Sequence, residues 1–79
     1  MVAEVSATTQ DYDLGAKAAL YASAGIFEYW VLDLRDMRIV VHRNPVGERY
    51  DSIIAYGADE AVSPLAAVGA SIRLRDLAQ

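Results

Sequence analysis

One stretch constrains this 79-residue chain more than any other: Asp13 to Asp33, DLGAKAALYASAGIFEYWVLD. It reads as one helix turned directly into one buried strand. Asp13 is suited to capping a helix N-terminus, because its carboxylate accepts the N–H groups left free in the first turn, and Gly25 stands where a left-handed residue closes a helix. The predicted helix therefore covers about Leu14 to Ala24. From Ile26 to Leu34 the sequence is dominated by Phe27, Tyr29, Trp30, Val31 and Leu32, a run too short for a second helix and rich in strand-favouring side chains. A helix feeding a buried strand through a glycine turn is half of a βαβ unit.

The remaining segments fit around that half-unit. Met1 to Ser6 (MVAEVS) reads as a strand with Glu4 between Val2 and Val5, and Ala7 to Tyr12 as a polar loop leading to the Asp13 cap. In the helix, Leu14, Ala18, Tyr21 and Gly25 share one stripe, and Lys17, Leu20 and Ala24 the next, so Lys17 borders the packed face. Arg35 to Met37 is a polar turn, and Arg38 to Arg43 completes a hairpin with the Tyr-Trp strand. Asn44 to Glu48 (NPVGE) reads as a turn, Tyr50 to Tyr56 as a strand, Gly57 to Val62 as an acidic loop and Pro64 to Val68 as an apolar turn compatible with a helical one. Ser71 to Leu74 reads as a last strand with Ile72 and Leu74 facing one way. The expected fold class is α/β or α+β: one main helix on a small mixed or antiparallel sheet of about four strands, with Trp30, Val31, Leu32, Ile39 and Val41 in the core.

Composition limits what such a domain does. A chain of 79 residues is one domain spanning 1–79, and a domain this small buries only ~60% of its unfolded surface. Its hydrophobic fraction of 54% is high for that size, so a homodimer is expected to cover part of it. There is no cysteine, which removes disulfides and thiolate metal sites. With no basic, apolar leader and no apolar run near ~18 residues, a cytoplasmic location is expected and no membrane contact. The formal net charge of −4 means that any DNA contact needs a local basic patch or a bound metal.

A family resemblance runs through the same residues. Glu4-Val5-Ser6, Tyr12-Asp13, Gly15, Lys17, Leu20-Tyr21-Ala22, Ala24-Gly25-Ile26, Glu28-Tyr29-Trp30 and Asp33-Leu34 resemble the Uma-two family of restriction endonucleases, within the PD-(D/E)XK nuclease superfamily. The likeness continues through Val41, Arg43-Asn44-Pro45, Tyr50 and Ser63-Pro64-Leu65. It implies a restriction-endonuclease-like fold of which this chain is the C-terminal half, an N-terminally truncated form. The family's earlier strands, and a Pro-Asp element carrying a principal metal ligand, fall outside these residues. Phe27 stands where the family usually has proline.

The resemblance implies a chemistry. Glu4 matches the family's strand glutamate, a ligand for Mg²⁺ and a catalytic residue, and Lys17 matches a catalytic lysine placed on the helix. A hard cation takes oxygen ligands, and phosphodiester hydrolysis needs a positive group against developing phosphate charge, so one Glu and one Lys supply complementary parts. Asp13 is expected only to cap or to support. Glu28 and Asp33 bracket the strand, but five extended residues place them ~16 Å apart on opposite faces, so they do not share an ion. His42 and the aromatics Tyr21, Phe27, Tyr29 and Trp30 are expected to be structural. Two functions follow: a metal-dependent DNA endonuclease with an incomplete site in this chain alone, or a non-catalytic dimeric interaction module derived from a nuclease domain. Either leaves small-molecule substrates without support.

Overall fold

The strand β1 (Val2–Ser6), the helix α1 (Asp11–Ser23) and the strand β2 (Glu28–Asp33) complete the βαβ unit that the sequence half announces. The computed structural model describes residues 1–6 and 11–77, the side chains of 11–14 excepted. β1 and β2 run parallel, with Glu4 opposite Val31 and Ser6 opposite Asp33. β3 (Arg38–Val46) pairs antiparallel with β2, and β4 (Arg49–Gly57) antiparallel with β3, in the order β1-β2-β3-β4. A 3₁₀ turn at Leu65–Ala67 and a short helix α2 (Leu74–Leu77) follow. The sheet is thus mixed, with a helix packed on it, as expected.

Alternation along the strands sorts the side chains onto two faces. On one face Tyr29 and Val31 pack with Ala22 of α1 and with Tyr50. On the other, Trp30, Ile39 and Val41 meet Val62 and Leu74 of the C-terminal segment. Of the five expected core residues, Trp30, Val31, Ile39 and Val41 are buried, and Leu32 packs half-buried against the cluster of Trp30, Ile39 and Val41. Gly25 closes α1 with φ 76°. Its amide donates to the Ala22 carbonyl and that of Ile26 to the Tyr21 carbonyl, each at 3.0 Å, the paired bonds of a Schellman cap.

Three expectations are corrected. α1 begins at Asp11, so Asp13 occupies the first turn of the helix and not its cap; the Asp13 side chain lies outside the described ones. The turn expected over Asn44 to Glu48 contracts to Gly47 and Glu48, because β3 continues through Pro45, opposite Tyr50. Proline has no N–H to offer a ladder, and it is accommodated because β2 pairs with β3 only as far as Arg43, leaving Pro45 without a neighbour on that side. Ser71 to Leu74 is not a strand. Ile72 makes one antiparallel bridge to Val62, and Leu74 starts α2, although Ile72 and Leu74 do pack against the same cluster.

A buried carboxylate ties these layers together. Glu28 is fully buried; its Oε2 accepts the Arg43 Nε at 2.7 Å and its Oε1 the Leu65 amide at 2.9 Å. Arg43 Nη2 reaches the Ser63 carbonyl at 2.7 Å. Burial alone pushes the Glu28 carboxyl up, but the hydrogen bonds from the Leu65 amide and Arg43 help hold it below its ordinary value. On the opposite face burial pushes His42 down, keeping it neutral.

Two predictions follow from this core. Glu28→Ala leaves Arg43 and the Leu65 amide without their acceptor, at a cost of about 3 kcal/mol. Calorimetry should show a fall in Tm of at least about 12 °C; a fall of a degree or two would contradict the role. Stability should also decline with acid. Glu28 has a depressed folded pKa, so its contribution is present above the ordinary value of 4.5 and is lost as pH falls through the folded pKa. His42 acts in the same direction below 6.5, where the unfolded chain takes up a proton that the fold refuses. Urea unfolding at stepped pH checks both, and His42→Phe should remove the upper part of the decline.

Candidate active site

The parallel pairing of β1 with β2 sets Glu4 on the sheet face covered by α1, since Glu4 lies opposite Val31, which packs under that helix. Lys17 and Tyr21 stand one helical turn apart on α1, and residues spaced by four project from the same side. Both reach Glu4. The Tyr21 hydroxyl donates to Glu4 Oε1 at 2.7 Å, and Lys17 Nζ lies 3.1 Å from Glu4 Oε2. The Lys17 side chain is 50% exposed and that of Glu4 19%. The ammonium therefore faces solvent with the carboxylate behind it.

The hydroxyl of Tyr21 is the main cause holding the Glu4 carboxyl below its ordinary value; burial opposes it, and Lys17 adds to the lowering. Glu4 in turn raises Tyr21. Tyr29 packs edge-on against Tyr21 with centroids 4.9 Å apart. Its hydroxyl is buried without a hydrogen-bond partner among the described residues. Burial first, and the nearby Glu4 charge second, keep that phenol protonated.

The other residues singled out by sequence lie elsewhere. Glu28 and Asp33 are the first and last residues of β2. Glu28 serves the latch on the Trp30 face, whereas Asp33 Oδ1 accepts the Arg35 and Asp36 amides at 3.1 Å each and its Oδ2 the Arg38 Nε at 3.2 Å. Asp33 thus fastens the hairpin turn. His42 is buried, and its Nδ1 lies 3.1 Å from the Tyr29 carbonyl. A carbonyl only accepts, so Nδ1 carries the proton and Nε2 is the acceptor. Tyr21, expected from the sequence to be structural, instead donates a hydrogen bond to Glu4. The signal was present in its spacing of four from Lys17.

Carboxylate, ammonium and phenol thus meet on one strand–helix pair. The family that matches this chain, over residues 1–75, is Uma2, described as "Putative restriction endonuclease". The chain belongs to the Uma2 family. No curated protein and no solved structure matches it at a significant level. Among the described residues no helix is long and apolar enough to cross a membrane.

The dominance of Tyr21 over Glu4 is testable. Tyr21→Phe should move the Glu4 carboxyl up toward 4.5, as read from its side-chain ¹³C shift during a pH titration. An unchanged value would assign the lowering to Lys17 instead.

Proposed function

We propose that this chain contributes to metal-dependent hydrolysis of DNA phosphodiesters, with Glu4 and Lys17 as its catalytic residues. The observation that carries the reading is the Glu4–Lys17 ion pair, held at 3.1 Å on the strand and helix of a chain that belongs to a restriction-endonuclease family. Among the described residues no three His, Cys, Asp or Glu side chains gather as a metal-binding group. Glu4 alone offers a carboxylate oxygen, a donor type that suits Mg²⁺, which is commonly held by one or two carboxylates with water and substrate phosphate supplying the remaining ligands. Glu4 would hold it. When bound, such an ion polarises the phosphoryl oxygen and acidifies a water.

The side chains of this chain have separable tasks in that reaction. Tyr21, by donating to Oε1, fixes the Glu4 rotamer and keeps the carboxylate ionised at neutral pH. Lys17 swings from Glu4 to the phosphate and neutralises charge that develops on its oxygens. Because the chain is acidic overall, this local cation is what a phosphate first meets. A reducing, cytoplasmic setting agrees with the lack of cysteine.

A second reading, a non-catalytic dimeric module, is supported by β4. Among the described residues its outer edge is unpaired, and Ile53 and Ile54 are 58% and 50% exposed. A long apolar edge strand is a template for a second copy.

Supercoiled-plasmid nicking in Mg²⁺ and in Mn²⁺ tests the first reading. Glu4→Ala should abolish cleavage and Lys17→Ala should slow it about 100-fold, in line with the loss of one charge-stabilising donor. Cleavage absent from the unmutated chain, or indifferent to both changes, would reject it. Sedimentation tests the second: a dimer at micromolar concentration that Ile53→Lys dissociates supports it, and a stable monomer counts against it.

A further inference from the structure

A cavity of about 370 Å³ lies on the α1 face of the sheet, on the β3–β4 side of the helix. It exists because α1 presents Gly15, Ala18 and Ala19 there, residues too small to fill the space over Val40 and Ile53. Volumes of this order accommodate small-molecule ligands. Nothing in the hydrolytic mechanism uses it.

Its chemistry is narrow. The His42 and Tyr50 rings stand edge to face with centroids 5.6 Å apart, and both line the cavity. The Tyr50 hydroxyl is committed to the Ile26 carbonyl at 2.7 Å, so Tyr50 offers the ligand mainly its ring. His42 offers a ring and, with Nδ1 engaged by Tyr29, an Nε2 acceptor. The rim carries Arg38 and Arg49 together with Asp33 and Glu48. Asp33 is occupied by two amides and Arg38, whereas the Arg49 side chain is 78% exposed and approaches Asp51 only to 3.7 Å. The interior thus suits a flat, uncharged ring bearing N–H groups, and Arg49 suits a phosphate attached to it. Those two requirements together describe a nucleotide.

Position supports the same ligand. Val31 lines the cavity and is also the residue paired with Glu4 across β1 and β2. Two strand spacings separate Glu4 from β3, ~10 Å, which is within reach of a neighbouring nucleotide. We propose that this cavity receives one unstacked nucleobase of a DNA strand, with Arg49 meeting a flanking phosphate. The proposal rests on the DNA reading above. It makes the face under α1 a two-part surface, with base capture on the β3–β4 side and phosphate chemistry at Glu4.

The test compares binding of two fluorescein-labelled single strands of equal length, one of deoxyadenosines and one abasic, in EDTA to prevent cleavage. The deoxyadenosine strand should bind at least tenfold more tightly, and Ala19→Leu, which fills the cavity, should remove the difference. Arg49→Glu, on an exposed side chain, should weaken both strands. Amide shift mapping on the unmutated chain guards against misfolding of Ala19→Leu: the deoxyadenosine strand, and not the abasic one, should perturb Ala18, Val40, His42 and Ile53. Equal binding of the two strands, a preference that survives Ala19→Leu in a folded variant, or shifts confined to other residues would overturn the proposal. Failure here is distinguishable from failure of the hydrolytic reading. Nicking without base preference removes the cavity site alone; base preference without nicking upholds it and removes the hydrolysis.

Discussion

The carboxylate of Glu28 is the constraint on which the rest of this small domain depends. It is the buried member of an ion pair with Arg43, and it also accepts the Leu65 amide. Through it β2, β3 and the segment at Ser63 to Leu65 share one polar knot inside an apolar layer. Burying a lone carboxylate costs far more than the fold has to spare, so each donor must be in place before the layer closes. The register of Glu28 opposite Arg43 is fixed by that demand, since a slip of one residue would turn either side chain to the other face. The C-terminal cover over Trp30, Ile39 and Val41 is fixed with it.

Once that face is closed, the other is free to carry chemistry. Side chains on β2 alternate between the two, so Trp30 enters the latch layer while Tyr29 and Val31 lie beneath α1. The Schellman closure at Gly25 sets where α1 stops and β2 begins, and it thereby sets which helical residues reach β1. Lys17 and Tyr21 meet Glu4 for that reason. The small residues Gly15, Ala18 and Ala19 leave space on the helix's other flank. Both halves of the proposed surface are consequences of one helix orientation.

Local rules made much of this legible in the sequence. The glycine stop, the hairpin into Arg38 and the core residues Trp30, Val31, Ile39 and Val41 follow from turn chemistry and periodicity, which act over a few residues. The pairing of Glu4 with Lys17 came from the family resemblance; no local pattern links residues on separate elements. What was not legible depends on contacts distant in sequence. Glu28 sits 15 positions from Arg43 and 37 from Leu65, and a carboxylate at a strand end carries no local sign of burial. Ser71 to Leu74 has the alternation of a strand, but among the described residues it makes a single β-bridge, Ile72 to Val62, and the chain then turns to bury Leu74. Pro45 looks like a turn residue until the end of β2 removes the ladder it would have broken.

Charge decides how the exposed face would meet the DNA of the proposed reaction. With a net charge of −4, the chain has no general attraction for a polyanion, and long-range steering would oppose approach. Binding must then come from short-range groups presented outward. Lys17 is half exposed over a more buried Glu4, and Arg49 extends from the β3–β4 turn. A phosphate approaching this face meets each cation before the carboxylate that accompanies it. In the proposed reaction the carboxylates become useful only after contact, with Glu4, whose ionisation Tyr21 secures, as the oxygen ligand. Such an order favours a substrate held at several points along one strand over a free phosphate, which would find a single cation already engaged. On the proposed reading, an acidic domain acts on DNA because its cations stand outermost, and it would favour a polymer because each contact alone is weak.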